Sequence, residues 1–174
     1  PMFIDRSDAG QQLAARLDHL RGTAVTVVGL PRGGVPVARL VADALDAPLD
    51  VIIVRKLGLP HQPELAMGAL GEGGVRVIDR DLIRAAGVTS ADLAIVEAHE
   101  RHELERRVEV LRRGAPRRSL RDRTVVIVDD GLATGSTAVA ACRVARESGA
   151  TRVVLAVPIA PTGWERRMGG AADE

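Results

Sequence analysis

Residues 125–141 read VVIVDDGLATGSTAVAA. Val125, Val126, Ile127 and Val128 form an apolar run without polar alternation, the pattern of a parallel strand covered on both faces. Two acids, Asp129 and Asp130, end the run. A loop of small residues follows from Gly131 to Thr137, and a helix opens near Ser136. Strand, turn and helix in this order build an open parallel sheet, whose ligands bind at the carboxyl ends of its strands. The loop's backbone N–H groups can converge on a phosphate. The helix adds its positive end, and Thr134, Ser136 and Thr137 add hydroxyl donors. Two carboxylates would repel a bare phosphate, but they suit hydroxyl groups or Mg²⁺. The expected ligand is therefore a polyol phosphate such as a ribose phosphate. Two other phosphate motifs fit worse: a Walker loop needs a Lys that Gly135-Ser136-Thr137 lacks, and GxGxxG is absent from every strand-to-helix turn.

The same rhythm extends outward. Ser7–Leu20 reads as an amphipathic helix capped by Ser7 and stopped by Gly22. Ala24–Leu30 reads as a buried strand, PRGG as a turn, Val35–Leu45 as a helix and Leu49–Arg55 as a second buried strand. Two prolines and a glycine make Lys56–Glu64 a loop. His61 and Glu64 in it read as solvated. Leu65–Ile78 predicts a hairpin turning at GEGG (Gly71–Gly74), and Asp79–Ala86 a short helix. Thr89 and Asp92 predict a capping box for a long charged helix ending near Arg113. Thr124–Val128 is a third strand, Ser136–Ser148 a helix and Arg152–Pro158 a fourth strand. The expected class is α/β, a mainly parallel central sheet flanked by helices, with a helical and hairpin insertion at about 56–123. One domain is expected over residues 1–160, with a tail at 161–174.

Composition narrows the classes of function. The chain has 174 residues, 46% apolar and 27% charged, with net charge +1. These are values of one globular domain, and they lack the positive field of a general nucleic-acid binder. The 24 basic residues are all Arg except Lys56, and the only aromatics are Phe3 and Trp164. An aromatic platform for single-stranded nucleic acid is thereby excluded. A lone Cys142 rules out an internal disulfide and fits a reducing cytoplasm. No run matches a membrane span or a signal-peptide core. Pro1 ahead of Met2 reads as a cloning remnant, with Met2 the natural start. His99 and His102 lie among charged neighbours and read as a solvated face rather than a metal pair. The eight Arg between Arg106 and Arg123 read as a solvated helix end and loop, and Cys142 as a small packing residue.

The Asp-Asp and Thr-Gly segment resembles the signature of the type I phosphoribosyltransferases. GLPRGGVPVA (Gly29–Ala38) resembles that family's pyrophosphate loop, and Arg55-Lys56 the pair that opens its mobile loop. Pro63–Gly74 resembles, more loosely, a bacterial branch of unassigned substrate. The resemblance covers residues 2 to about 160. It implies that Asp129 and Asp130 hold the ribose hydroxyls of 5-phosphoribosyl pyrophosphate (PRPP), and hold Mg²⁺ directly or through water. It implies a 5-phosphate cradle of Ala133, Thr134, Gly135, Ser136 and Thr137. Pyrophosphate would meet Pro31, Arg32, Gly33, Gly34, Arg55 and Lys56, with a cis peptide at Pro31–Arg32. Arg32, Lys56, Asp129 and Asp130 would be the catalytic groups. The implied activity is Mg²⁺-dependent transfer of the phosphoribosyl group from PRPP to a nucleobase-like nitrogen of a small-molecule acceptor. Pyrophosphate is released. No membrane partner is implied, and homodimers are common in the family. A second reading is a non-catalytic PRPP- or nucleotide-binding regulatory domain. Family enzymes cover the site with a hood, and here only GWERRMGGAADE follows residue 162.

Overall fold

The computed structural model describes residues 3–174. The expectation about Pro1 and Met2 lies outside the described residues. The chain runs α1 (Arg6–Arg16), β1 (Val25–Gly29), α2 (Gly34–Leu45), β2 (Leu49–Val51), β3 (Val54–Leu59), β4 (Gln62–Gly71), β5 (Val75–Ile78), α3 (Arg80–Ala85) and α4 (Ser90–Arg112). Then come β6 (Thr124–Val128), α5 (Ser136–Glu147), β7 (Arg152–Ala156) and α6 (Trp164–Met168).

A four-stranded parallel sheet in the order β2-β1-β6-β7 forms the centre. This is the mainly parallel sheet that the sequence predicts. Its central strands carry no polar face because both faces are covered. Val126, Val128 and Val154 face one way, packing with Val37 and Val41 of α2 and Ala14 of α1. Val125, Ile127 and Val153 face the other way, packing with Ala141, Cys142 and Val144 of α5. Cys142 is fully buried, and that burial pushes its thiol up to about 12. It is a packing residue, as expected.

Two expectations are corrected. Leu49–Arg55 is not one strand. The chain leaves the parallel sheet after Val51 and starts a second, antiparallel sheet β3-β4-β5 at Val54. Nor is Lys56–Glu64 a loop, since most of it lies in β3 and β4, with Leu59 paired to Gln62 across a turn at Pro60 and His61. The prolines are compatible with this sheet because Pro60 lies in the turn and Pro63 where the β3–β4 register is irregular, so neither interrupts a regular ladder. His61 and Glu64 are exposed, as the sequence suggests. A smaller correction concerns α1: Asp5 caps it, accepting from the Asp8 N–H at 2.9 Å, in place of Ser7.

The remaining elements lie close to expectation. β4 and β5 form the hairpin around GEGG, and Thr89 and Asp92 make the capping box of α4. A third apolar cluster, including Ile53, Leu57, Met67, Leu70 and Leu104, joins the second sheet to α4. Among the described residues, no helix is long and apolar enough to cross a membrane.

Candidate functional site

The carboxyl ends of β1 and β6 lie side by side, because Gly29 pairs with Val128 in parallel register. The segments leaving them, PRGG and DDGLATGST, must therefore meet. The peptide bond between Pro31 and Arg32 is cis, as the resemblance implies. Gly33 faces Asp130: a Cβ built on Gly33 would come within 2.2 Å of Asp130 Oδ2. At Gly34 a Cβ would come within 2.5 Å of the Val128 carbonyl oxygen. At Gly34 backbone leaves no room for a side chain, and at Gly33 a side chain would have to displace the Asp130 carboxylate. Arg32 stands exposed at the rim, with no side-chain partner among the described residues.

Asp129 and Asp130 follow β6 directly. The Asp130 N–H donates to Asp129 Oδ1 at 2.9 Å. Burial pushes Asp129 up to about 6, opposed by that N–H and reinforced by the charge of Asp130. Among the described residues, the one cation on the pair is the Arg6 guanidinium, whose Nη2 lies 3.3 Å from Asp130 Oδ2. One exposed guanidinium compensates the two carboxylates only in part, which suits hydroxyl donors or a divalent cation. Among the described residues no three His, Cys, Asp or Glu converge on a metal position. Mg²⁺ commonly uses one or two carboxylates and completes its shell with substrate and water oxygens. Asp129 and Asp130 fit that role.

The loop after the acids ends at Gly135, whose φ of 81° forms the left-handed N-cap of α5. Gly135 has no side chain to cap this helix end, and the Ser136 N–H makes only a long bond of 3.4 Å to Thr134 Oγ1, so the start of α5 stays open to an anion. Thr134 Oγ1 and Ser136 Oγ lie 2.9 Å apart. Lys56 reaches across from β3 and donates from Nζ to Ser136 Oγ at 2.8 Å. The lone lysine therefore sits on the loop expected to hold the 5-phosphate. Arg55 meets Glu100 of α4 instead, with Nε 2.7 Å from Oε2. Arg55, Lys56 and Thr137 also help line a cavity of about 570 Å³ between β3 and α4.

The structure thus brings Gly33, Gly34, Asp129 and Asp130 together, and joins Lys56 to Thr134 and Ser136. It ties Arg55 to Glu100. Sequence reading missed Arg6, because one more Arg in an Arg-rich chain carries no signal. It also misread Arg106–Arg123 as wholly solvated. Arg112 is 8% exposed and bridges Asp50 and Glu72, while Arg123 donates to the Val25 carbonyl at 2.7 Å. The expectation failed because both acids are distant in sequence. His99 and His102 are exposed, and Trp164 is half-buried against the core.

Comparison with known proteins bears on the family and the fold. The model of the phosphoribosyl transferase domain matches residues 6–169. A Mycobacterium tuberculosis (strain H37Rv) protein named "Putative phosphoribosyl transferase" is 58% identical over 173 residues, covering 99% of this chain. This chain spans only 39% of that relative's length. The crystal structure of TT1426 from Thermus thermophilus superposes with a TM-score of 0.90 at 44% identity, over 99% of this chain and 82% of that one. A purine phosphoribosyltransferase from Pyrococcus horikoshii shares the fold, with a TM-score of 0.52 at 20% identity, over 90% of this chain and 74% of that one. With a family model spanning nearly the whole chain, a fold to match it and the paired acids at the end of β6, the chain belongs to the phosphoribosyl transferase domain family.

Proposed function

We propose that this domain binds PRPP and transfers its 5-phosphoribosyl group to a nitrogen of a small-molecule acceptor, releasing pyrophosphate. The observation that carries the reading is the meeting of Gly33 with Asp130. It sets a backbone loop open to anions against two carboxylates suited to ribose hydroxyls. The Gly135–Thr137 helix start and Lys56 flank this pair as the 5-phosphate cradle.

Each group has a task in the transfer. Asp129 and Asp130 accept hydrogen bonds from the ribose hydroxyls and fix the ring. The loop N–H groups, Ser136 and Lys56 hold the 5-phosphate. The Arg32–Gly34 turn receives the pyrophosphate. The acceptor nitrogen forms a bond to ribose C1 while the bond from C1 to the pyrophosphate oxygen breaks. The electron pair leaves with pyrophosphate, and the acceptor's proton passes to solvent. The transition state is oxocarbenium-like, so no protein nucleophile is needed, only positioned charge. Mg²⁺ held at Asp129 and Asp130 would offset negative charge on the substrate oxygens.

The direct test is pyrophosphate release from PRPP and Mg²⁺ with a panel of purines, pyrimidines and small amines. Release with one acceptor class supports transfer. Tight PRPP binding with no release from any acceptor overturns the enzymatic reading and leaves a PRPP-binding module. The M. tuberculosis relative is much longer than this chain, so the same panel run on both proteins compares the domain with the larger chain.

A further inference from the structure

Arg32, Arg55 and Lys56, the basic residues that the sequence assigns to the site, divide unevenly over it. Lys56 is committed to the 5-phosphate side through Ser136. Arg55 is held by Glu100. That leaves Arg32 alone on the loop expected to take pyrophosphate, the most highly charged part of the ligand. A further cation is Arg6, at the start of α1, which pairs with Asp130 across 124 residues of sequence.

The position of Arg6 is specific. Its Nη2 donates to Asp130 Oδ2 at 3.3 Å. The same oxygen lies against Gly33, where an added Cβ would be 2.2 Å away. The guanidinium is therefore separated from the PRGG loop by one carboxylate oxygen. A cation in the first turn of a helix opposes the helix dipole, so α1 itself gains nothing from Arg6 there. The ion pair is weakly built: a single contact, with side-chain exposures of 65% for Arg6 and 40% for Asp130. Exposed pairs of this kind contribute little and exchange readily for a better partner. A pyrophosphate oxygen is such a partner, because a guanidinium can grip two phosphate oxygens at once.

We infer that Arg6 is a pyrophosphate-binding residue of this site, parked on Asp130 in the free protein and transferred to the pyrophosphate when PRPP arrives. The exchange does two things together. It frees Asp130 for a ribose hydroxyl, and it adds a second guanidinium beside Arg32. The inference rests on the PRPP reading above and extends it to a residue outside the motifs.

Calorimetry on the full chain with Arg6→Ala and Arg6→Lys tests this, using PRPP, inorganic pyrophosphate and ribose 5-phosphate, each with Mg²⁺. Losing one charge-assisted contact should weaken PRPP and pyrophosphate by roughly tenfold to a hundredfold in Arg6→Ala. Ribose 5-phosphate should bind unchanged or tighter, since Asp130 is released. Arg6→Lys should recover part of the loss. Thermal unfolding of both variants should match the parent protein. An equal loss for all three ligands would make Arg6 a support for Asp130 and overturn the inference. Unchanged or tighter PRPP binding would make it a surface pair or a block, and would also overturn it. If the parent protein fails to bind PRPP, the site reading itself falls; if the parent binds and Arg6→Ala binds equally, only Arg6 falls.

Discussion

Two pairs of acids in this molecule have opposite fates. Asp50 of β2 and Glu72 of the GEGG turn close around Arg112 of α4. Arg112 Nη1 meets Asp50 Oδ1 at 2.9 Å, and Nε meets Glu72 Oε2 at 2.6 Å. The Arg118 N–H adds a bond to Asp50 at 2.8 Å, and Arg117 donates to the Glu72 carbonyl at 2.9 Å. Burial would raise Asp50, but these donors and the charge of Arg112 hold it below its ordinary value. Asp129 and Asp130 have only one another and a loose Arg6, and Asp129 is pushed up. The first pair joins the parallel sheet to the second sheet and α4. The second pair is left unfinished at the mouth of the central sheet. Where acids are fully answered they serve the fold; where they are left short of charge they await a ligand.

The largest effect should come from opening the closed pair. Arg112→Ala leaves two nearly buried carboxylates without their cation, and breaking such a network costs about 3–5 kcal/mol. Urea unfolding should show that loss. A change below about 1 kcal/mol would show that the network contributes little to the fold. Asp129→Asn/Asp130→Asn should do the reverse, leaving stability equal or higher while PRPP affinity falls. By analogy with other positioned charge contacts, the fall should be on the order of a hundredfold or more. Retained affinity in that double variant, measured by calorimetry, would remove these acids from the site.

A middle-sized effect separates the two halves of the ligand. Lys56 lies on Ser136, so Lys56→Met should weaken ribose 5-phosphate by about tenfold, the value of one charged hydrogen bond. Inorganic pyrophosphate should bind unchanged. The sequence expectation assigns Lys56 to the leaving pyrophosphate and predicts the opposite split. Loss of pyrophosphate affinity alone would restore that assignment.

The contrast also explains what sequence could reveal. The central sheet was legible because β1, β6 and β7 carry continuous apolar runs, and two-sided burial writes itself into composition. Asp129, Asp130 and the loop to Thr137 were legible because strand, acids, glycine and hydroxyls are contiguous. The second sheet was misread at its start. Pro60 and Pro63 count against a strand unless one knows that they fall at a turn and at an irregularity in register. The closed pair was invisible, since Asp50, Glu72 and Arg112 are brought together only by tertiary packing. Arg6 was hidden for the same reason. Local chemistry is written locally, and contacts between distant elements are not.

The smallest effect, and the most direct reading of the contrast, is the slope of stability with pH. Asp129 rises from 3.8 to about 6 on folding. Between about pH 4 and pH 6 the folded chain keeps a proton there that the unfolded chain has released. Stability therefore falls as pH rises through that window. The group is partly solvated, so the whole change should be on the order of 1 kcal/mol. Asp50 has the opposite sign. Its folded value lies below 3.8, so its contribution is present above that pH and lost as pH falls beneath it. Urea unfolding of the parent chain, Asp129→Asn and Asp50→Asn, without divalent metal, separates the two. Subtracting the Asp129→Asn curve from the parent curve should leave a decline between about pH 4 and pH 6. Subtracting Asp50→Asn should leave a rise at lower pH. Parallel curves for the parent and Asp129→Asn would mean that folding leaves Asp129 unshifted, and the distinction between a finished and an unfinished pair would fail.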